Sequence, residues 1–376
     1  MAREVGPRFA ARAAAHDAGD VFVAENYRDL RERRVFSAGV PAELGGGGAT
    51  HADLCAMLRV LAQYCGSTAL ALAMHTHQVA IPAWRWRHEG APTEPFLRRV
   101  AAEELILVTS GGSDWLAGSG RAEKMDGGYR ITGRKVFASG APVGDLFMTM
   151  AVHDDPESGP TVLHCAIPFD APGLEVKDNW RSLGMRGTGS HDVVLEGVFV
   201  PDAAISVRRP AGRWSPVWHV VAAIALPLIY SVYVGIAEAA RALGLRQAAG
   251  RRHDAGTQEL VGLMETELAT ARMALRQMID AAASGHLALE TTNDVLIGRA
   301  VVGRAAIRTV EVAMEVAGGA GFFRELGLER LFRDVQGARY HPVRGKAQLL
   351  YSGRLALGLD VNESNSTGEA RKEQAT

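Results

Sequence analysis

"YRITGRKVFAS", residues 129–139, follows an Asp126-Gly127-Gly128 turn and breaks the helical spacing of the chain before it. Its first half alternates apolar and polar side chains, the period of a strand with one buried face. Alternation continues in "DLFMTMAV" (145–152), "PTVLHCAIP" (160–168) and "DVVLEGVFVP" (192–201), so residues 105–205 read as a β domain of roughly one hundred residues. On the N-terminal side, apolar residues recur at helical spacing from Phe9 to about Glu104. They are interrupted by "VPAELGGGGATHADL" (40–54), a turn feeding a helix capped near Thr50. Residues 1–104 therefore read as a helical domain. On the C-terminal side the helical period returns near Trp218, and residues 206–360 read as a bundle. One stripe is Leu260, Met264, Leu268, Ala271, Leu275 and Met278; another runs from Leu296 to Ala317 and stops at Gly318 and Gly319, where a left-handed C-cap is expected. Residues 361–376 have almost nothing to bury and read as a disordered tail. The class is α+β.

Composition narrows the function. The 376 residues are 47% apolar, enough for a large core, and 41 basic residues nearly cancel 42 acidic ones. With no strong net field, nucleic acid and anionic membrane are not the expected partners, and a small molecule is. The N-terminus lacks the apolar stretch of a secretory signal, and no run is read as approaching the ~18 apolar residues of a membrane span, so a cytoplasmic location is expected. Cys55, Cys65 and Cys165 have neither metal spacing nor an even count, and they read as buried thiols with no metal. No Gly-x-Gly-x-x-Gly follows a strand and no Gly-x4-Gly-Lys loop occurs, so neither a nicotinamide domain nor a nucleotide hydrolase is indicated.

Five segments in order resemble the acyl-CoA dehydrogenase superfamily. They are "VPAELGGGG" (40–48), "VTSGGSDWLAG" (108–118), the strand pair beginning "YRITGRKVFASG" (129–140), "LGMRGTGSHDVVLEGVFVPD" (183–202) and "AMEVAGGAGFFRELGLERLFRD" (313–334). The resemblance runs from about residue 20 to 360. It implies an N-terminal helical domain, a central β-barrel or sandwich and a C-terminal four-helix bundle. It also implies a flavin, FMN or FAD, between sheet and bundle, commonly in a homotetramer.

Several residues then become candidates. Thr109 and Ser113 lie in a loop of small residues where backbone and hydroxyls can approach a planar ring, although an ordinary Ser/Gly turn uses the same residues. Phe137 and Ser139, two apart, would share a strand face, and the family places an aromatic and a hydroxyl against the flavin there; Phe137 serves equally well as core. Gly318, Gly319 and Gly321 either cap a helix or let a phosphate or neighbouring subunit come close. His75 and His77 on an early helix, with Tyr230 and Tyr233 on the first bundle helix, are candidate substrate-pocket residues. Two apart on a helix, the histidines make a poor metal pair. Arg186 is a candidate for a phosphate, as are Arg251 and Arg252.

Two departures bear on the reaction. Dehydrogenases of this family take an α-proton with a glutamate shortly after the Arg-Asp pair, but here Arg333-Asp334 is followed by "VQGARYHPVRG" (335–345), with His341-Pro342 at the matching place. Relatives that supply the base from the first bundle helix offer no better match, because Glu238 lies past that position. The segment "AAGRRHDAGTQEL" (248–260) is also shortened where the family holds the adenine half of FAD. Both departures are similar to the two-component monooxygenases, which take reduced flavin from a separate flavin reductase and use O2. A histidine can donate a proton or hydrogen bond to oxygen as negative charge builds on it, and proline after it biases His341 toward extended backbone. His341 and Ser139 are the expected catalytic residues, acting on an aromatic or polyketide-like substrate. A dehydrogenase with an atypical base and a catalytically silent binding member are the alternatives.

Overall fold

The computed structural model describes residues 1–112 and 114–362. Five helices come first: α1 (Ala2–Gly19), α2 (Ala24–Glu32), α3 (His51–Ala62), α4 (Gly66–Glu89) and α5 (Glu94–Glu103). Thr50 caps α3 as expected, in a capping box closed by Asp53.

Among the described residues eight strands follow: β1 (Leu107–Thr109), β2 (Arg121–Met125), β3 (Gly128–Ala138), β4 (Leu146–Asp155), β5 (Gly159–Pro168), β6 (Leu174–Val176), β7 (His191–Pro201) and β8 (Ile205–Pro210). They form one sheet in the order β6-β7-β3-β2-β4-β5-β8, with β1 pairing in parallel to β4. Its two halves meet at a single residue pair, Arg121 with Val152. Met125 pairs with Gly128, which leaves Asp126-Gly127 as a two-residue hairpin turn with Gly127 at φ 71°.

Three long helices then pack together, α6 (Pro216–Ala248), α7 (Ala255–Ala283) and α8 (Leu289–Ala317), with α9 (Leu328–Val335) and α10 (Gly345–Ala356) against α8. The anticipated stripe is the seam, since Met264, Leu268, Ala271, Leu275 and Met278 are all buried. α3 and α4 pack on the other side of α6. That position explains a departure from the sequence reading. The helical stretch Pro216–Arg251 is long and apolar enough to cross a membrane, contrary to the expectation that no run is, and 94% of its most apolar window is buried inside the protein. A second departure is at the end of α8, where Gly318 takes φ 61° and ψ −146° in place of the left-handed cap. The expected disordered tail begins at 361; residues 363–376 of it lie outside the described residues.

Candidate functional site

The loop after β1 is held from three sides. Gln78 of α4 donates from Nε2 to Thr109 Oγ1 at 3.2 Å, and Ser110 Oγ is 2.8 Å from Thr149 Oγ1 on β4. Beneath the loop, the buried Lys135 of β3 donates from Nζ to Ser119 O (2.6 Å), Ser119 Oγ (2.9 Å) and Met150 O (2.5 Å). Burial pushes its ammonium down to about 8, with Asp114 pulling the other way. Arg209 of β8 donates to Trp115 O and Leu116 O, each at 2.6 Å, and lies over the Trp218 ring at 4.6 Å. Sequence reading missed both cations. The signal for Lys135 was present, a charge at the same parity as the buried Tyr129 and Ile131. Ser113, the other loop candidate, lies outside the described residues.

Phe137 and Ser139 do not share a strand face. The β3–β7 register shifts between Lys135 and Ala138, and Phe137 takes φ 60°. A bulge of this kind resets the alternation. Phe137 is 48% exposed, edge-on to Trp180 with ring centroids 5.8 Å apart, while Ser139 is 8% exposed just past the strand. A Cβ added at Gly112 would lie 3.4 Å from the Phe137 ring, so the loop and the aromatic adjoin. Ser139 Oγ is 2.8 Å from Ser190 Oγ, a partner 51 residues away in the chain.

On the bundle side, Tyr233 Oη meets His341 Nε2 at 2.5 Å, and Arg299 Nη2 donates to the His341 carbonyl at 2.6 Å. Arg299 also lies over the Tyr230 ring, 5.5 Å from its centroid. Burial, then Arg299 and His77, push the half-buried His341 imidazole down to about 3. The ring is then neutral at physiological pH, and of the two roles expected of it, giving a proton or a hydrogen bond, it is set for the hydrogen bond. Tyr230 and Tyr233 do not line an open pocket, because both are fully buried behind His341. Tyr230 Oη donates to Ala338 O at 2.7 Å.

The early histidines separate. His75 is used up by backbone: Leu107 N–H donates to its Nδ1 at 3.0 Å, so Nε2 carries the proton and donates to Phe36 O at 2.8 Å. It ties α4 to β1 and is not a pocket residue. His77 donates from Nδ1 to Ala73 O at 3.0 Å and accepts from Gln78 Nε2 at 2.9 Å, joining Thr109 through one side chain. Burial pushes both imidazoles down to about 4.

Other candidates are engaged elsewhere. Arg186 forms a two-pronged pair with Asp20, which takes up its guanidinium, and Arg251 donates from Nη2 to Val316 O at the end of α8. Gly318 and Gly319 are exposed with open space over each Cα, and Gly321 is buried against α8. Gly318 follows Arg299 by more than five helical turns, roughly 28 Å along α8 at the usual rise, so the fold does not bring this turn to His341. Glu238 is clamped by Arg59 and Arg272, with Gln63 Nε2 donating to it at 2.7 Å. Asp334 is buried, accepts from Met185 N–H and is pushed up to about 6 by burial.

The group at Ser139 and Phe137 suits a flavin. An exposed aromatic ring adjoins a small-residue loop, and two residues further along the chain is the buried Ser139 hydroxyl, paired with Ser190.

Residues 1–104, 109–198 and 222–341 match, in turn, the models described as acyl-CoA dehydrogenase N-terminal, middle and C-terminal domains. The amino sugar nitrososynthase RubN8 of Streptomyces rubradiris is 30% identical over 381 residues, covering 94% of this chain and 88% of that protein. The L-evernosamine nitrososynthase of Micromonospora sp. is 29% identical over 376 residues, with coverage of 94% and 88%. The X-ray structure of KijD3 with FMN and dTDP-3-amino-2,3,6-trideoxy-4-keto-3-methyl-D-glucose superposes with a TM-score of 0.88 at 28% identity, covering 96% of this chain and 93% of that one.

Proposed function

Because this chain belongs to the acyl-CoA dehydrogenase family, whose cofactor is a flavin, we propose that it is an oxygenase using reduced FMN and O2 on the amine nitrogen of a nucleotide-linked amino sugar. The observation that carries the oxygenase reading is the state of the two base positions: one holds His341, bonded to Tyr233, and Glu238 near the other is neutralised by two arginines. The substrate class shifts from the aromatic or polyketide-like molecule expected earlier toward an amino sugar. RubN8 and the L-evernosamine enzyme are nitrososynthases, and KijD3 was solved with an amino sugar nucleotide.

Bound reduced flavin supplies the two electrons that split O2, one oxygen going to the amine nitrogen and the other leaving as water. The chain's own residues do the rest. Thr109 and Ser139 would hold the ring edge, Phe137 and Trp180 its apolar face, and the neutral His341 would keep a hydrogen bond directed into the site while Tyr233 fixes its other nitrogen. The chain has no nicotinamide fingerprint, which points to a separate flavin reductase as the source of reduced cofactor, and membership of the family points to a homotetramer.

The test is a coupled reaction of the purified protein with a flavin reductase, NADH, FMN, O2 and a dTDP-3-amino sugar. Mass spectrometry should find a product heavier by oxygen. Anaerobic bleaching of the oxidised flavin by an acyl-CoA, without any oxygenated product, would move the chain to the dehydrogenases.

A further inference from the structure

The segment that carries His341 is held by few bonds. Among the described residues, the backbone of residues 341–343 makes one hydrogen bond, in which Arg299 Nη2 donates to the His341 carbonyl at 2.6 Å. Pro342 has no N–H to offer, and the neighbouring backbone pairs lie outside the segment, Tyr340 N–H to Gly337 O and Gln348 N–H to Arg344 O, each at 3.0 Å. The imidazole itself is bonded at Nε2 to Tyr233.

Arg299 is placed for its bond by the two helices beside the segment. It stands on α8, is 5% exposed, and lies over the Tyr230 ring of α6, 5.5 Å from the centroid. Tyr230 donates its own hydroxyl to Ala338 O at 2.7 Å, so α6 and α8 together hold this stretch of chain at two carbonyls. Among the described residues no carboxylate lies within ion-pair distance of Arg299, and its Nε has no hydrogen-bond partner. A buried cation without a counter-charge is costly, and what the charge contributes here is a stronger bond to the loop carbonyl.

We infer that Arg299 is a positioning residue for the oxygenation step, one that sets where the His341 imidazole stands by holding its carbonyl and acts on the reaction only through His341. The inference rests on the oxygenase reading above. Tyr233 fixes the ring at Nε2 and Arg299 fixes the backbone, so the residue is held at two ends. Releasing the carbonyl frees a segment with no other backbone bond, and the ring is then free to swing about Tyr233. A displacement of about 1 Å at a reacting group costs up to about a hundredfold in rate.

Arg299→Met keeps an unbranched side chain and removes the donor. In the coupled reaction with a dTDP-3-amino sugar it should lower kcat about three- to tenfold, with KM for the sugar and Kd for FMN unchanged within about twofold. In the His341→Ala background the same substitution should change kcat by less than about twofold, because effects routed through one group do not add. A slowing in that background as large as in the wild-type background overturns the inference. So does a KM raised about tenfold with kcat kept, which would make Arg299 a ligand of the sugar's diphosphate.

Trypsin gives a readout that needs no substrate, because the exposed Arg339 and Arg344 flank His341. Cleavage after them should be about tenfold faster in Arg299→Met than in wild type, under conditions where both stay folded. Equal rates overturn the inference. Should Arg299→Met not fold, Arg299→Gln takes its place in each comparison, and wild-type cleavage at Arg339 and Arg344 as fast as at the exposed Arg181 overturns the inference by itself. If wild type forms no oxygenated amino sugar, the oxygenase reading fails, while the trypsin comparison still decides whether Arg299 holds the His341 segment.

Discussion

Tyr233 and His341, 108 residues apart in sequence, share a hydrogen bond between Oη and Nε2. Burial raises the phenol well above its ordinary value and lowers the imidazole to about 3, so both partners are neutral across the physiological range. The pair is therefore a hydrogen-bonded unit and not an ion pair. His341 Nδ1 has no hydrogen-bond partner among the described residues.

Replacing His341 with alanine should slow oxygenation by about 10- to 100-fold, the scale of a hydrogen bond to developing charge, with FMN affinity little changed. Tyr233→Phe should have a smaller effect, about tenfold, because the ring stays in place and loses only its partner. Single-turnover assays with excess reduced FMN measure both. Wild-type rates in His341→Ala would remove the histidine from the chemistry.

Glu238 makes a separate prediction. It is 8% exposed and faces Arg59 and Arg272, whose side chains are 36% and 42% exposed. Glu238→Gln leaves two guanidiniums without their counter-charge, and because both reach solvent the cost is about 1 to 3 kcal/mol, less than for a fully buried pair. Guanidinium chloride unfolding should show the loss. Rates of any acyl-CoA oxidation should not collapse, and a collapse would identify Glu238 as the missing base.

Stability should fall on acidification below about pH 6.5. His75 and His77, pushed down to about 4, and His164 and His341, pushed down to about 3, are neutral in the fold, while in the unfolded chain they take up protons near 6.5. The unfolded state then binds more protons, so stability present at pH 7.5 is lost as pH falls through the unfolded value, by on the order of 1 kcal/mol per histidine by pH 5.5. Asp334, pushed up to about 6, acts in the opposite sense between 6 and its ordinary value, one group against these four and against His51, His191 and His219, which burial also lowers. Equal melting temperatures at pH 7.5 and 5.5 would contradict this balance.

Lys135→Met should loosen the loop that follows β1. The substitution keeps the side-chain volume but leaves Ser119 O and Met150 O without their donor, a loss of about 2 to 3 kcal/mol. Weaker FMN binding and faster proteolysis within 110–119 are the expected readouts. Unchanged FMN affinity would separate this lysine from the cofactor site.

The order of the domains was legible in the chain, because alternation and helical spacing are local properties. "YRITGRKVFAS" reads as a strand whatever surrounds it, the Asp126-Gly127 turn specifies its hairpin, and the Met264 to Met278 stripe must be covered by something. His341 before Pro342, in a break between helices, was legible in the same way. What each polar side chain does was not, because its partner is far off in sequence. The bulge at Phe137 separates it from Ser139 through the register with β7, and no count of residues along β3 reveals that shift. His75 and His77 look alike in sequence, yet Phe36 and Leu107 claim the first, while Gln78 links the second to Thr109. Glu238 is out of use only because α3 and α7 bring arginines to it. Ser139 finds its hydroxyl partner Ser190, 51 residues on, only because β3 pairs with β7 there. Periodicity needs only neighbours in the chain, but saturating a buried donor or acceptor needs neighbours in space, and the packing of sheet against helices decides those.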